Sequence, residues 1–141
     1  MLTANLDGQL SQPQRGRVET RLFLSLSDAN ALSPEAVKRV TDAVKGLKAQ
    51  ATAAGAERVD LVATSAVRDA SDVLPLSEGI LQETGLKMQI LSGRQEAVYS
   101  FLGAVYPYSG ETLTGVMDIG GGSTEIAAGT REALRVTRSL Q

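Results

Sequence analysis

GVMDIGGGSTEIAAG, residues 115–129, sets two short apolar runs on either side of a glycine loop. Val116 and Met117 lead into Asp118, and Ile119 precedes Gly120, Gly121 and Gly122. Ser123, Thr124 and Glu125 follow, and the run Ile126–Ala128 closes at Gly129. The pattern reads as strand, tight turn, strand. Glycines carry no Cβ, so a phosphate can come within hydrogen-bonding distance of their backbone N–H groups. Asp118, at its strand end, is placed to hold a hydrated cation or to orient a water, and the Ser123 and Thr124 hydroxyls can donate to phosphate oxygens. An ordinary glycine hairpin turn is the alternative, although such turns prefer one glycine beside Asn or Asp.

Two commoner glycine motifs do not fit. A P-loop needs Lys after its last glycine, and none stands here. The dinucleotide fingerprint needs glycine at its sixth position and then a helix. Counted from Gly120, the sixth position is Glu125, and the run behind it is too short and apolar to open a helix. A glycine loop joining two strands and opened by Asp instead resembles the phosphate loop of the actin/Hsp70/sugar-kinase superfamily.

The 141 residues are 43% hydrophobic, which suits one domain or part of one. Fourteen basic against sixteen acidic residues leave a net charge of −2, so bulk charge draws the chain to no nucleic acid. Two of the three tyrosines, Tyr106 and Tyr108, fall in one turn, and no basic-aromatic stripe for single strands forms. The chain has neither Cys nor His. Thiol nucleophiles, disulfides, histidine bases, Ser-His-Asp triads and ordinary zinc sites are thereby excluded. Any catalysis must use carboxylates, a bound metal, Lys or Arg, and backbone dipoles. The lack of Cys fits a cytoplasmic location. No apolar run is long enough to span a membrane, and the N-terminus lacks a signal-peptide pattern.

Outward from the glycine loop, the rest of the chain alternates strands and helices. Met1–Leu10 reads as a short strand with a turn at Asp7-Gly8, and Arg15–Leu26 as a second strand bent at Gly16. Ser27–Leu32 is a loop. Ser33-Pro34-Glu35 starts a helix, with Ser as N-cap and Pro in the first turn. It runs to about Ala54, with Val37, Val40, Val44, Leu47, Ala51 and Ala54 as its apolar stripe and Gly55 as its stop. Arg58–Thr64 is a buried parallel strand by its β-rich run. The polar elbow Ser65–Ala70 leads to a helix from Ala70 or Asp72 to Thr84, ending at Gly85, with Pro75 in its first turn. Lys87–Leu91 is a second parallel strand. Ser92 and Gln95 form a capping-box pattern that opens a helix through Tyr106, its buried stripe being Ala97, Val98, Phe101, Leu102 and Val105. Pro107–Glu111 is a linker, Leu113–Asp118 a strand, and Arg131–Thr137 the last strand. The order predicts an α/β layer structure with parallel pairing.

Both βα elbows lie at the carboxyl ends of the parallel strands, where helix N-termini attract anions. Arg68 can serve as a fork for phosphate; equally, it can be a solvated loop residue pairing with Asp69 or Asp72. Glu96, in the first turn of its helix, could act as general base on a water. On spacing, the better account of Glu96 is a first-turn carboxylate favoured by the helix dipole. Gln95 is explained by capping.

Three segments now carry a resemblance: ATSAVRDA (Ala63–Ala70), ILSGRQEA (Ile90–Ala97) and MDIGGGSTE (Met117–Glu125). In this order and spacing they resemble the exopolyphosphatase/guanosine pentaphosphate phosphatase (Ppx/GppA) family over nearly the whole chain. The resemblance implies a fold of ribonuclease H-like lobes with a mixed sheet. It implies hydrolysis of the terminal phosphate from polyphosphate or pppGpp, with Mg²⁺ as cofactor. By motif, Glu96 matches the glutamate of the SGxEEA segment that serves as base on the attacking water, and the resemblance makes it the first choice for that role. Arg68, with Ser65 beside it, matches the phosphate-binding segment. Gly120, Gly121, Gly122 and Ser123 match the second phosphate loop, and Asp118 and Glu125 are the metal-binding candidates. Gln95 stands where the family often has a first Glu, which removes one charge near the base.

The family pattern begins with a strand and first phosphate loop resembling DIGSNS, where this chain has Met1-Leu2-Thr3. The expected organisation is therefore a first lobe over 1–108, lacking its first strand and phosphate loop, and the opening strands of a second lobe over 109–141. Such a chain is expected to be catalytically incomplete by itself, and its open sheet favours a homodimer or strand exchange. A kinase of the same superfamily, a non-catalytic sensor of polyphosphate or alarmone, and a fragment working only with another chain are the alternatives.

Overall fold

The computed structural model describes residues 2–3, 14–22, 24, 26, 29–108 and 111–140. Its elements are β1 (Leu2–Thr3), β2 (Gln14–Arg15), α1 (Pro34–Ala53), β3 (Leu61–Ala63), α2 (Ser65–Arg68), α3 (Leu74–Thr84), β4 (Met88–Ile90), α4 (Gly93–Val105), β5 (Thr114–Ile119), β6 (Thr124–Gly129) and β7 (Leu134–Leu140). Two compact units result, one formed by Met1–Leu61 and Ala70–Met88, the other by Val62–Asp69 and Gln89–Gln141.

In the first unit α1 and α3 pack together, burying Ala36 and Thr41 from one and Leu76 and Ile80 from the other. The sequence signals at the ends of α1 are realised. The Ser33 hydroxyl accepts the Ala36 N–H, and Pro34 occupies the first turn. At the other end Gly55 takes φ +86°, its N–H reaching the Thr52 carbonyl while the Ala56 N–H reaches that of Ala51. That is a Schellman stop, with the left-handed residue a glycine because a Cβ would be strained there. The buried stripe is rotated from the expected one, for Ala36 and Thr41 are buried whereas Ala54 is exposed. Gly79 explains the rotation: a Cβ there would sit 3.4 Å from the Thr41 hydroxyl oxygen, so the glycine brings α3 close to that side of α1. Lys45 Nζ bonds Glu83 at 2.7 Å, and Lys48 Nζ bonds the Thr84 carbonyl at 2.6 Å.

Differences from the sequence reading are local. β1 and β2 pair antiparallel, Leu2 opposite Arg15, and the Asp7-Gly8 turn lies outside the described residues. Residues 16–20 are not strand; Leu26 instead bridges Leu32. The elbow after β3 contains one helical turn, α2. α3 begins only at Leu74, whose N–H is accepted by the Asp72 carboxylate, with Pro75 in the first turn. β3 is shorter than Arg58–Thr64 because only Leu61–Ala63 pairs with the three residues of β4.

The second unit is built on the antiparallel sheet β5-β6-β7. α4 lies on one face of it, and Ala97, Phe101 and Val105 bury against Ala127, with Val116 alongside. The alternation of β6, where Ser123, Glu125, Ala127 and Gly129 are buried and the residues between them are not, identifies the covered face. A Cβ at Gly129 would run into the backbone of Ala133 and Leu134, so the β6–β7 turn needs glycine at that point. Among the described residues no helix is long and apolar enough to cross a membrane.

Candidate functional site

Every candidate residue falls in the second unit. The capping box on α4 forms as the sequence implies. The Ser92 hydroxyl accepts the Gln95 N–H, and the Gln95 side chain accepts the Ser92 N–H at 2.9 Å. This fixes the first turn of α4 and with it the direction of Glu96. The Leu91 N–H bonds the Ala63 carbonyl at 2.8 Å, so the ends of β3 and β4 are tied together where both elbows begin.

Arg68, at the end of α2, crosses between those elbows. Its Nη1 donates to the Leu91 carbonyl at 2.7 Å and to Glu96 Oε2 at 3.0 Å. Asp69 is more distant, with 4.0 Å between its Oδ1 and Arg68 Nε, while Asp72 accepts the Leu74 N–H. The expected loop pairing is thus a minor contact, and the principal partner is the candidate base 28 residues further on. Arg68 and Glu96 are mostly buried, with side chains 20% and 13% exposed. Arg68 Nη2 is buried and has no hydrogen-bond partner among the described residues, a donor whose desolvation none of them offsets. Ser65 is buried in the first turn of α2.

Gly120, Gly121, Gly122 and Ser123 connect β5 to β6, and the Gly120 N–H bonds the Ser123 carbonyl at 2.9 Å. None of these glycines has a left-handed φ. A Cβ at Gly121 would meet nothing within 4 Å. Neither backbone strain nor crowding within the protein demands glycine at Gly121, and its surface is open to approach. Ser123, by contrast, is buried, and its Oγ has no partner among the described residues.

Asp118 and Glu125 stand directly opposite each other across the β5–β6 ladder, so both side chains share the face beneath α4. Ser100 of α4 donates to Asp118 Oδ2. Ser139 of β7, directly opposite Glu125, donates to Glu125 Oε1 at 2.8 Å. Glu125 is only 2% exposed, and among the described residues its Oε2 has no partner. Among the described residues no three carboxylates come together as a complete metal cage. Two carboxylates with a free oxygen nevertheless suit Mg²⁺, which keeps several waters and takes one or two carboxylates plus substrate phosphates.

The face of α4 therefore changes character along its length. Gly93, Glu96 and Ser100, spaced three and four apart, share one side of the helix. Phe101 and Val105 continue it as an apolar half over Val116 and Ala127. Ser100 and Ser139 were not singled out from the sequence. Ser100 could have been found as the residue four after Glu96 on the same face, whereas nothing local marks Ser139.

The profile of the Ppx/GppA phosphatase family matches residues 4–141. Proteins named guanosine-5'-triphosphate,3'-diphosphate pyrophosphatase from Vibrio vulnificus and Vibrio atlanticus are each 28% identical over 141 residues, all of this chain and 28% of theirs. Among solved structures, the Aquifex aeolicus Ppx/GppA family member superposes with a TM-score of 0.79 at 32% identity, over 95% of this chain and 44% of its own. An exopolyphosphatase from Cytophaga hutchinsonii superposes with a TM-score of 0.74 at 26% identity, over 82% of this chain and 37% of its own. The chain thus spans 28% of the length of the curated relatives it matches. These structures share the actin-like, ribonuclease H-like fold, and the α/β class read from the sequence is the one found.

Proposed function

Because the chain belongs to the Ppx/GppA phosphatase family, we propose that it provides the water-activating and phosphate-binding residues of a phosphoanhydride hydrolase. Its substrates are inorganic polyphosphate or pppGpp, cleaved at the terminal phosphate. The names of its relatives support both, one group being pppGpp pyrophosphatases and one structure an exopolyphosphatase. The observation that carries the reading is the 3.0 Å bond from Arg68 Nη1 to Glu96 Oε2, which unites the candidate phosphate fork and the candidate base.

The chemistry follows from what each group can do. Glu96 accepts the proton of a water as that water attacks the terminal phosphorus from the side opposite the leaving oxygen. Arg68 Nη2, buried and unpartnered among the described residues, offers a charged donor to a phosphate oxygen. The backbone N–H groups of Gly121 and Gly122 and the Ser123 hydroxyl supply further donors to the developing charge. Asp118 and Glu125 would hold Mg²⁺, which when bound neutralises charge on the phosphoryl oxygens. The same reading includes lobes divided at 108/109, a homodimer and a cytoplasmic location. The outer edges of β5 and β7, which no described strand pairs, support the dimer.

The test is phosphate release from polyphosphate and from pppGpp by the purified protein, beside Glu96→Gln. Any turnover by the chain alone is expected to fall about 10²–10⁴-fold in the variant, with polyphosphate still bound, and robust turnover of that kind overturns the expectation that the chain is catalytically incomplete by itself. Undiminished turnover in Glu96→Gln removes Glu96 from the chemistry. Tight polyphosphate binding with no turnover by the unsubstituted protein selects a binding protein or a fragment working only with another chain.

A further inference from the structure

We infer that Ser100 and Ser139 are positioning residues that aim the Asp118–Glu125 carboxylate pair at a divalent cation, an inference resting on the reading that this pair is the cation site. Like charges directly opposite in an antiparallel ladder repel. A fold would ordinarily relieve such a pair with Arg or Lys. Among the described residues neither carboxylate has an ion-pair partner. Each instead receives one neutral hydroxyl, Asp118 from Ser100 and Glu125 from Ser139.

A hydroxyl orients a carboxylate without cancelling its charge. Lysine or arginine in the same places would bring a positive charge to the site and compete with a cation for the oxygens. The arrangement also leaves a ligand atom over: Glu125 Oε2 is buried and has no partner among the described residues while Oε1 is held at 2.8 Å. Leaving such an oxygen buried is costly, and a cation would remove the cost. The serines come from different elements, α4 and β7, so the pair is fixed from two sides. Gly93, the first residue of α4, comes close to Ser139, for a Cβ there would overlap the serine side chain.

The experiment is calorimetric titration of Mg²⁺ into the protein, with thermal unfolding measured on the same samples. Unsubstituted protein is compared with Ser100→Ala, Ser139→Ala, Ser100→Thr, Asp118→Asn and Glu125→Gln. The expected result is Mg²⁺ affinity weakened about 10–100-fold by each Ser→Ala change, the scale typical of groups that orient metal ligands. Ser100→Thr, which keeps the hydroxyl, restores it, and Asp118→Asn and Glu125→Gln remove binding. Mg²⁺ affinity unchanged in both Ser→Ala variants, but lost in Asp118→Asn and Glu125→Gln, overturns the inference and leaves the cation site standing. Binding absent from the unsubstituted protein, or indifferent to Asp118→Asn and Glu125→Gln, overturns the site and the inference with it. Should Ser139→Ala fail to fold, Ser100→Ala and its threonine rescue decide the question.

Discussion

Removing the Arg68 side chain tests whether the second unit and the candidate site depend on one contact. Two bonds disappear with it, to the Leu91 carbonyl at 2.7 Å and to Glu96 at 3.0 Å. An exposed ion pair contributes about 0–1 kcal/mol, and breaking a fully buried one costs about 3–5 kcal/mol. With side chains 20% and 13% exposed, this pair lies between those limits. A coupling of about 1–2 kcal/mol follows from a charge-assisted bond at that depth. The Leu91 carbonyl left without its donor adds about 1 kcal/mol, so Arg68→Ala is expected to cost about 2–3 kcal/mol in all. The assay is urea unfolding of the protein, Arg68→Ala, Glu96→Ala and the double variant, which isolates the pairwise part. Raising salt should leave most of the coupling in place, because partly buried pairs are weakly screened. A coupling below about 0.5 kcal/mol, or one abolished by salt, would show that the contact is an ordinary surface pair. Arg68 would then not preorganise Glu96 as a base.

Phe101→Ala removes the largest side chain from the core of the second unit, where Phe101 is fully buried with Ala97, Val105 and Ala127. A loss of about 3–5 kcal/mol is expected by urea unfolding, and a loss below about 1 kcal/mol would mean that α4 does not pack on the sheet as described. The Glu35 carboxyl is held below its ordinary range, first by a backbone N–H in its own turn and then by Ser33. Its contribution is present above the ordinary carboxylate range and is lost as pH falls through the lowered value, so Glu35→Gln should flatten the acid limb of stability against pH. Lys45 is held above the ordinary ammonium value by the hydrogen bond and charge of Glu83. That contribution is complete below the ordinary lysine value and disappears as pH rises through the raised one, so Glu83→Gln should flatten the alkaline limb.

Legibility followed the range of the interaction. The ends of α1 and α4 were readable because Ser33, Pro34, Gly55, Ser92 and Gln95 act on backbone groups within a few residues of themselves. Gly85, at φ +71°, ends α3 for the same reason. The start of α3 was misplaced because Asp72 accepts the Leu74 N–H as a turn residue, and an aspartate before a helix reads equally well as helix or turn. The length of β3 was set by its three-residue partner, which no property of Arg58–Thr64 discloses. At the site the candidate residues were legible, but their partners were not. Arg68 and Glu96 are 28 positions apart, Ser100 and Asp118 18, Glu125 and Ser139 14.

Those long-range partners explain why one helix can serve both packing and chemistry. The side of α4 bearing Glu96 is continuous with the side bearing Phe101 and Val105, which a hydrophobic pattern alone would assign to the core. The sheet beneath is divided in the same way, with Val116 and Ala127 along the ladder and Asp118, Glu125 and Ser139 toward the glycine loop. Matching the apolar halves fixes the axial position of the helix, because a slip of one residue would carry Phe101 away from Ala127 and Ser100 away from Asp118. The apolar half thus sets where Glu96 and Ser100 stand, at a burial energy of about 1.5–3 kcal/mol for each large side chain. A carboxylate half-buried by its own helix register is oriented before any ligand arrives, which is what a general base requires. Hence substitutions at Phe101 that keep the fold but loosen packing, such as Phe101→Leu, should slow phosphate release more than they lower stability. A proportional loss of both would mean that packing and chemistry on α4 are independent.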